Sequence, residues 1–155
     1  MKTKFILLAI LATTCFSACK KDKPEPADPL ANAYELLQNK NWKLVSIIAD
    51  PAFMGLTDML SMWDDCDRDD LYRFNPNDSF LLDAGAMRCS PEELQQETGT
   101  WSYSESSKIL SFQILPVGDY YSLRLQSVNE VNMLCTEEWT YDNVEYTFTW
   151  LFTKQ

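Results

Sequence analysis

The feature that most limits what this chain can fold into is the alternation near its end. Residues 144–153 read VEYTFTWLFT, with Val144, Tyr146, Phe148, Trp150 and Phe152 at one parity and Glu145, Thr147 and Thr149 at the other. A period of two puts successive side chains on opposite faces of a strand. One face of this strand is therefore almost wholly aromatic and needs an apolar surface against it. Similar strand signals recur upstream at 41–48, 71–74, 79–83, 98–103, 108–115, 120–128 and 131–139. Turn formers separate them, among them Asn75-Pro76-Asn77-Asp78, Ser104-Glu105-Ser106-Ser107, Pro116-Val117-Gly118-Asp119, Asn129-Glu130 and Tyr141-Asp142-Asn143. About eight strands in hairpin succession, with no long helix, predict an all-β antiparallel meander, closed as a barrel or folded as a sandwich. Closure is the favoured form because it removes the bare edges that such aromatic strands would present.

Within this frame, residues 34–39 (YELLQN) predict a short helical turn leading into the first strand. In that strand Trp42, Leu44, Ser46 and Ile48 share one face, and Lys43, Val45 and Ile47 the other. Residues 51–63 (PAFMGLTDMLSMW) predict an excursion with some helix, packed over an end of the sheet. The inward-facing candidates are Trp101, Phe112, Leu123, Met133, Phe148 and Trp150. In a small barrel such residues either fill the core or line a ligand pocket.

Composition excludes several kinds of chemistry. The 155 residues contain no histidine. The commonest general base and zinc ligand is thus missing, and Ser-His-Asp or Cys-His catalysis is impossible. A net charge of −10, with no basic cluster beyond the N-terminal tail, argues against nucleic-acid binding.

The N-terminus carries an address. Lys2 and Lys4 precede the apolar run 5–12 (FILLAILA), too short for a membrane span, which needs about 20 residues, but fitting a signal peptide. The stretch Phe16-Ser17-Ala18-Cys19 resembles the lipobox of bacterial lipoproteins, in which the cysteine after a small residue is acylated and the chain is cut before it. Cys15, after Thr14, fits less well. The resemblance implies residues 1–18 as signal peptide, Cys19 as lipid acceptor and a membrane as partner. Losing Lys2 and Lys4 with the signal would move the charge from −10 to −12. Residues 19–33 form a tether rich in proline and charge, with Pro24, Pro26 and Pro29, and residues 34–155 form the domain.

Three cysteines then remain in an oxidising setting, Cys66, Cys89 and Cys135. If Phe74 pairs with Ser79 across the Asn75-to-Asp78 turn, Cys66 falls opposite position 87, close to Cys89. A Cys66–Cys89 disulfide is therefore expected, stabilising the fold by roughly 3–4 kcal/mol through loop closure. Cys135, mid-strand beside Met133, reads as a buried small hydrophobe.

The order of these features resembles the lipocalin-like lipoproteins of Gram-negative bacteria. The carrying residues are Asn41-Trp42-Lys43-Leu44-Val45 at the first strand, Cys66-Asp67 before Leu71-Tyr72-Arg73-Phe74, the Asn77-Asp78 turn, and Cys89 before Gly99-Thr100-Trp101. The resemblance covers roughly residues 36–155. It implies a lipocalin-like barrel in the cell envelope, held by lipid, with the outer membrane expected and its face left open.

The acidic stretch WDDCDRDD places Asp65, Asp67 and Asp69 at the alternate spacing of a calcium loop. Yet Asp70 stands where that loop requires glycine, and Pro76 where its bidentate glutamate belongs, so a solvated acidic loop is the reading and no metal is expected. A pair of carboxylates could serve a glycosidase, but spacing brings no two of them together, and no enzyme and no cofactor are expected. The leading functional expectation is binding of a small hydrophobic ligand. The alternative is a non-catalytic structural or interaction module with a filled core, its protein partner unknown.

Overall fold

The computed structural model describes residues 28–116 and 118–155. The expected signal peptide and Cys19 lie outside the described residues. A short helix α1 (Ala33–Leu37) is followed by strands β1 (Asn41–Phe53), β2 (Leu56–Asp58), β3 (Leu71–Phe74), β4 (Ser79–Asp83), β5 (Gln96–Ser104), β6 (Ile109–Ile114), β7 (Tyr120–Val128), β8 (Asn132–Tyr141) and β9 (Val144–Lys154). Apart from β2, which pairs only with β1, the strands run in sequence order and every strand-to-strand pairing is antiparallel. Pairing of β1 with β9, from Trp42↔Lys154 to Asp50↔Thr147, closes an eight-stranded barrel. This is the lipocalin-like closure expected from the sequence.

Local chemistry sets the connections. The β1–β2 and β8–β9 hairpins are two-residue turns, with both central residues at positive φ: Met54 at 51° and Gly55 at 83°, Asp142 at 51° and Asn143 at 61°. Such turns match the right-handed twist of their strands. The excursion after β1 is more extended than expected. β1 itself runs on to Phe53, β2 folds back on it, and only a 3-10 turn at Leu60–Met62 is helical.

The face assignment in β1 needs correction. Trp42 and Leu44 are buried, but beyond them Ile47 and Ala49 are buried while Ile48 is exposed. A register shift between Leu44 and Ser46 against β9 explains the change. A bulge adds one residue to one strand and so reverses the facing of everything after it.

The two ends of the barrel differ. At one end α1 packs as a plug. Tyr34 stacks on Trp101 with ring centroids 5.3 Å apart, the Trp42 indole N–H donates to the Leu37 carbonyl at 3.0 Å, and Trp101 donates to the Asn75 carbonyl at 2.8 Å. Lys40 donates to the Leu36 carbonyl at 2.8 Å and pairs with Glu130 at 3.1 Å. The described part of the expected tether also ends here. Ala33 is buried in α1, and the Val128 N–H donates to the Pro29 carbonyl. Above the plug the interior is solid, with Phe74, Phe80 and Phe112 mutually in contact at 5.1–5.6 Å between centroids, and Leu110, Leu123, Leu125 and Met133 fully buried beside them.

Candidate functional site

At the opposite end the barrel is not filled. There the β2–β3 connection (59–70) and the β4–β5 loop (84–95) come together, joined by a disulfide between Cys66 and Cys89 with Cα atoms 5.2 Å apart. The ladder beneath is one residue off the expected register, Phe74 pairing with Phe80, and it stops at Leu71↔Asp83, so the bridge links the loops beyond it. Asp69 adds a second tie, accepting the Ala86 and Met87 N–H groups at 2.7 and 3.2 Å. Cys66, Asp67 and Cys89 bring donor atoms within 4.8 Å of one another, but both sulfurs are spent in the disulfide and offer no thiolate to a metal.

Beside these loops lies a pocket of about 380 Å3, within the roughly 300–1,000 Å3 range of small-molecule sites. Its barrel wall comes from Ile47 and Phe53 of β1, Glu137 and Trp139 of β8, and Phe148 and Trp150 of β9. Met59 and Trp63 of the long connection form the outer wall. Aromatic contacts hold this wall together. Phe53 lies 5.3 Å from Trp139 and 5.8 Å from Phe148, and Trp63 meets Trp150 edge to face at 6.4 Å. Trp139 remains 49% exposed and forms the rim with Tyr141.

Alternation along β8 explains the single ionisable group in this wall. Met133, Cys135, Glu137 and Trp139 share one parity, so Glu137 takes an inward position that an apolar residue would otherwise occupy. Burial pushes its carboxyl above the ordinary value, and the nearby Trp150 indole opposes part of that rise. The Trp150 N–H is itself buried and has no geometrically satisfactory hydrogen-bond partner among the described residues. The buried Cys135 thiol below is pushed up to about 12 by desolvation, so it stays protonated.

All six positions read as inward-facing are buried. Phe148 and Trp150 line the pocket. Trp101, Phe112, Leu123 and Met133 sit deeper: Trp101 lies under α1, and the other three in the solid core. Sequence reasoning missed Ile47, Phe53, Met59, Trp63, Glu137 and Trp139. The parity of β8 could have given Glu137 and Trp139. The bulge hid Ile47, and the other three belong to the excursion and the end of β1 that leads into it.

Fold and site together define a small closed β-barrel, plugged by a helix at one end and carrying an aromatic pocket at the other. No protein-family model and no curated protein matches the chain.

Proposed function

We propose that this chain is a lipid-anchored envelope protein whose lipocalin-like barrel binds a small, largely apolar molecule without catalysis. The observation that carries the ligand reading is the pocket of about 380 Å3 walled by Phe53, Trp63, Trp139, Phe148 and Trp150. Burying apolar ligand surface there would contribute roughly 25 cal/mol per Å2, so a ligand hiding ~200 Å2 would gain about 5 kcal/mol before the costs of association. The signal-like 1–18 stretch and Cys19 support the anchor, with the outer membrane as its place. Residues 28–33 lie at the plugged end, opposite the pocket.

The ligand reading is tested with the neutral fluorescent probe N-phenyl-1-naphthylamine. Saturable one-to-one binding is expected, weakened about tenfold in Trp63→Ala and Trp139→Ala proteins that keep their circular dichroism spectra. Absence of saturable binding would leave the filled-core interaction module as the better account, with the exposed rim of Trp139, Tyr141 and Val144 as its contact surface. The anchor is tested by mass spectrometry of the protein made in a Gram-negative host. An acylated Cys19 at the mature N-terminus is expected, and an intact, unmodified one would overturn it.

A further inference from the structure

Resting on the pocket reading above, we propose that the pocket selects a cationic amphiphile: an apolar body carrying a protonated amine, with Glu137 as counter-ion and the indoles of Trp63, Trp139 and Trp150 around the charge. Three observations converge on a cation. Glu137 is the one ionisable side chain in the wall, and no Lys or Arg lines the pocket among the described residues. Aromatic rings make up most of the remainder, and ring faces attract cations, tryptophan most strongly. The chain as a whole carries −10, which favours approach of a positive ligand and disfavours a carboxylate or phosphate.

The site also has unspent polar capacity. Trp150 is only 7% exposed, yet its N–H lacks a partner among the described residues. An ionised carboxylate has about four acceptor positions. Glu137 could therefore take an ammonium on one oxygen and draw in the Trp150 N–H on the other. A half-buried carboxylate bears a desolvation cost that an incoming ammonium would offset. An alcohol offers only a neutral hydrogen bond there, and an anion would face Glu137 directly.

Isothermal titration at pH 8 with octylammonium, octan-1-ol and octanoate, one chain length with three head groups, tests the proposal. Octylammonium is expected to bind at least tenfold more tightly than octan-1-ol, with octanoate weakest. Glu137→Gln should abolish the amine preference and leave octan-1-ol within about twofold. Glu138→Gln, removing the exposed neighbouring charge, should keep the preference and so separates a local contact from general attraction to an acidic protein. Equal affinities for amine and alcohol, or a preference that survives Glu137→Gln, overturn the cation assignment while the pocket reading stands. No binding of any of the three overturns both.

Discussion

Asp70 gives the sharpest test of the electrostatics at the stapled end. It is half-buried just before β3, with one carboxylate oxygen enclosed and unpartnered among the described residues. Burial first, and then the charges of Asp67, Glu93, Asp69 and Glu97, raise its pKa from the ordinary 3.8 to about 7. A folded-state pKa above the unfolded value means the native state holds its proton longer. Stability from this group is therefore fully present below about pH 4 and is lost as pH rises through about 7. In a fully dry site that displacement would correspond to roughly 4 kcal/mol. With Asp70 half in solvent, screening reduces this to about 1–2 kcal/mol. Asp70→Asn keeps the shape and removes the charge. At pH 8 the variant should be more stable than the parent by that amount, and the gap should narrow at pH 6 and be smallest at pH 4.5. Urea unfolding followed by tryptophan fluorescence at pH 4.5, 6 and 8 reads the difference directly. Taking the difference cancels shifted carboxyls that do not act on Asp70, such as Asp83, lowered by its hydrogen bonds to Gln96 and Gln95. A gap that does not change with pH, or a variant less stable at pH 8, would refute the reasoning.

Other perturbations follow from packing and covalent constraint. Replacing Cys66 and Cys89 together by serine opens a loop spanning 23 positions, which should cost roughly 3 kcal/mol and lower the calorimetric Tm by about 10 °C. An unchanged Tm would show that the loops are held without the bridge. Gly99→Ala should destabilise by about 2–3 kcal/mol or prevent folding, because the added methyl would overlap the Gln113 carbonyl on β6; urea midpoints check it. Trp42→Phe should cost about 1–3 kcal/mol by leaving the buried Leu37 carbonyl without its donor. Trp150→Phe deletes an N–H without a geometrically satisfactory partner among the described residues, so it should lose only the packing share and cost clearly less than Trp42→Phe. Equal losses in the two variants would contradict this contrast.

The barrel was legible because its evidence is periodic. In β9 the positions of Phe148, Trp150 and Phe152 follow from parity alone, and each is buried. The disulfide was legible despite a hairpin register wrong by one residue, since both cysteines lie in loops past the end of the ladder, where the chain can absorb the difference. What could not be read was of three kinds. The bulge at the Leu44–Ser46 step of β1 has no compositional mark, yet it turns Ile47 inward and Ile48 outward. The outer wall of the pocket, Met59 and Trp63, comes from a connection whose path is set by β2, the 3-10 turn and the Cys66 bridge rather than by local pattern. Glu137 is a third case. Its parity was visible, but a search for apolar residues at inward positions passes over the one polar residue among them.

That polar residue shows why the two ends of one barrel carry different meanings. At the plugged end the tryptophan N–H groups are paired: the Trp42 and Trp101 indoles each donate to a carbonyl, and Tyr34 donates to Asp78 at 3.2 Å. At the pocket end the same residue type is left unsatisfied. Trp150 is nearly as buried as the core tryptophans but has no well-aligned acceptor among the described residues, and Glu137 sits half-desolvated beside it. An unpaired buried group costs about 1–3 kcal/mol, and a ligand carrying an acceptor or a positive charge into this pocket would offset that cost at Trp150 and at Glu137.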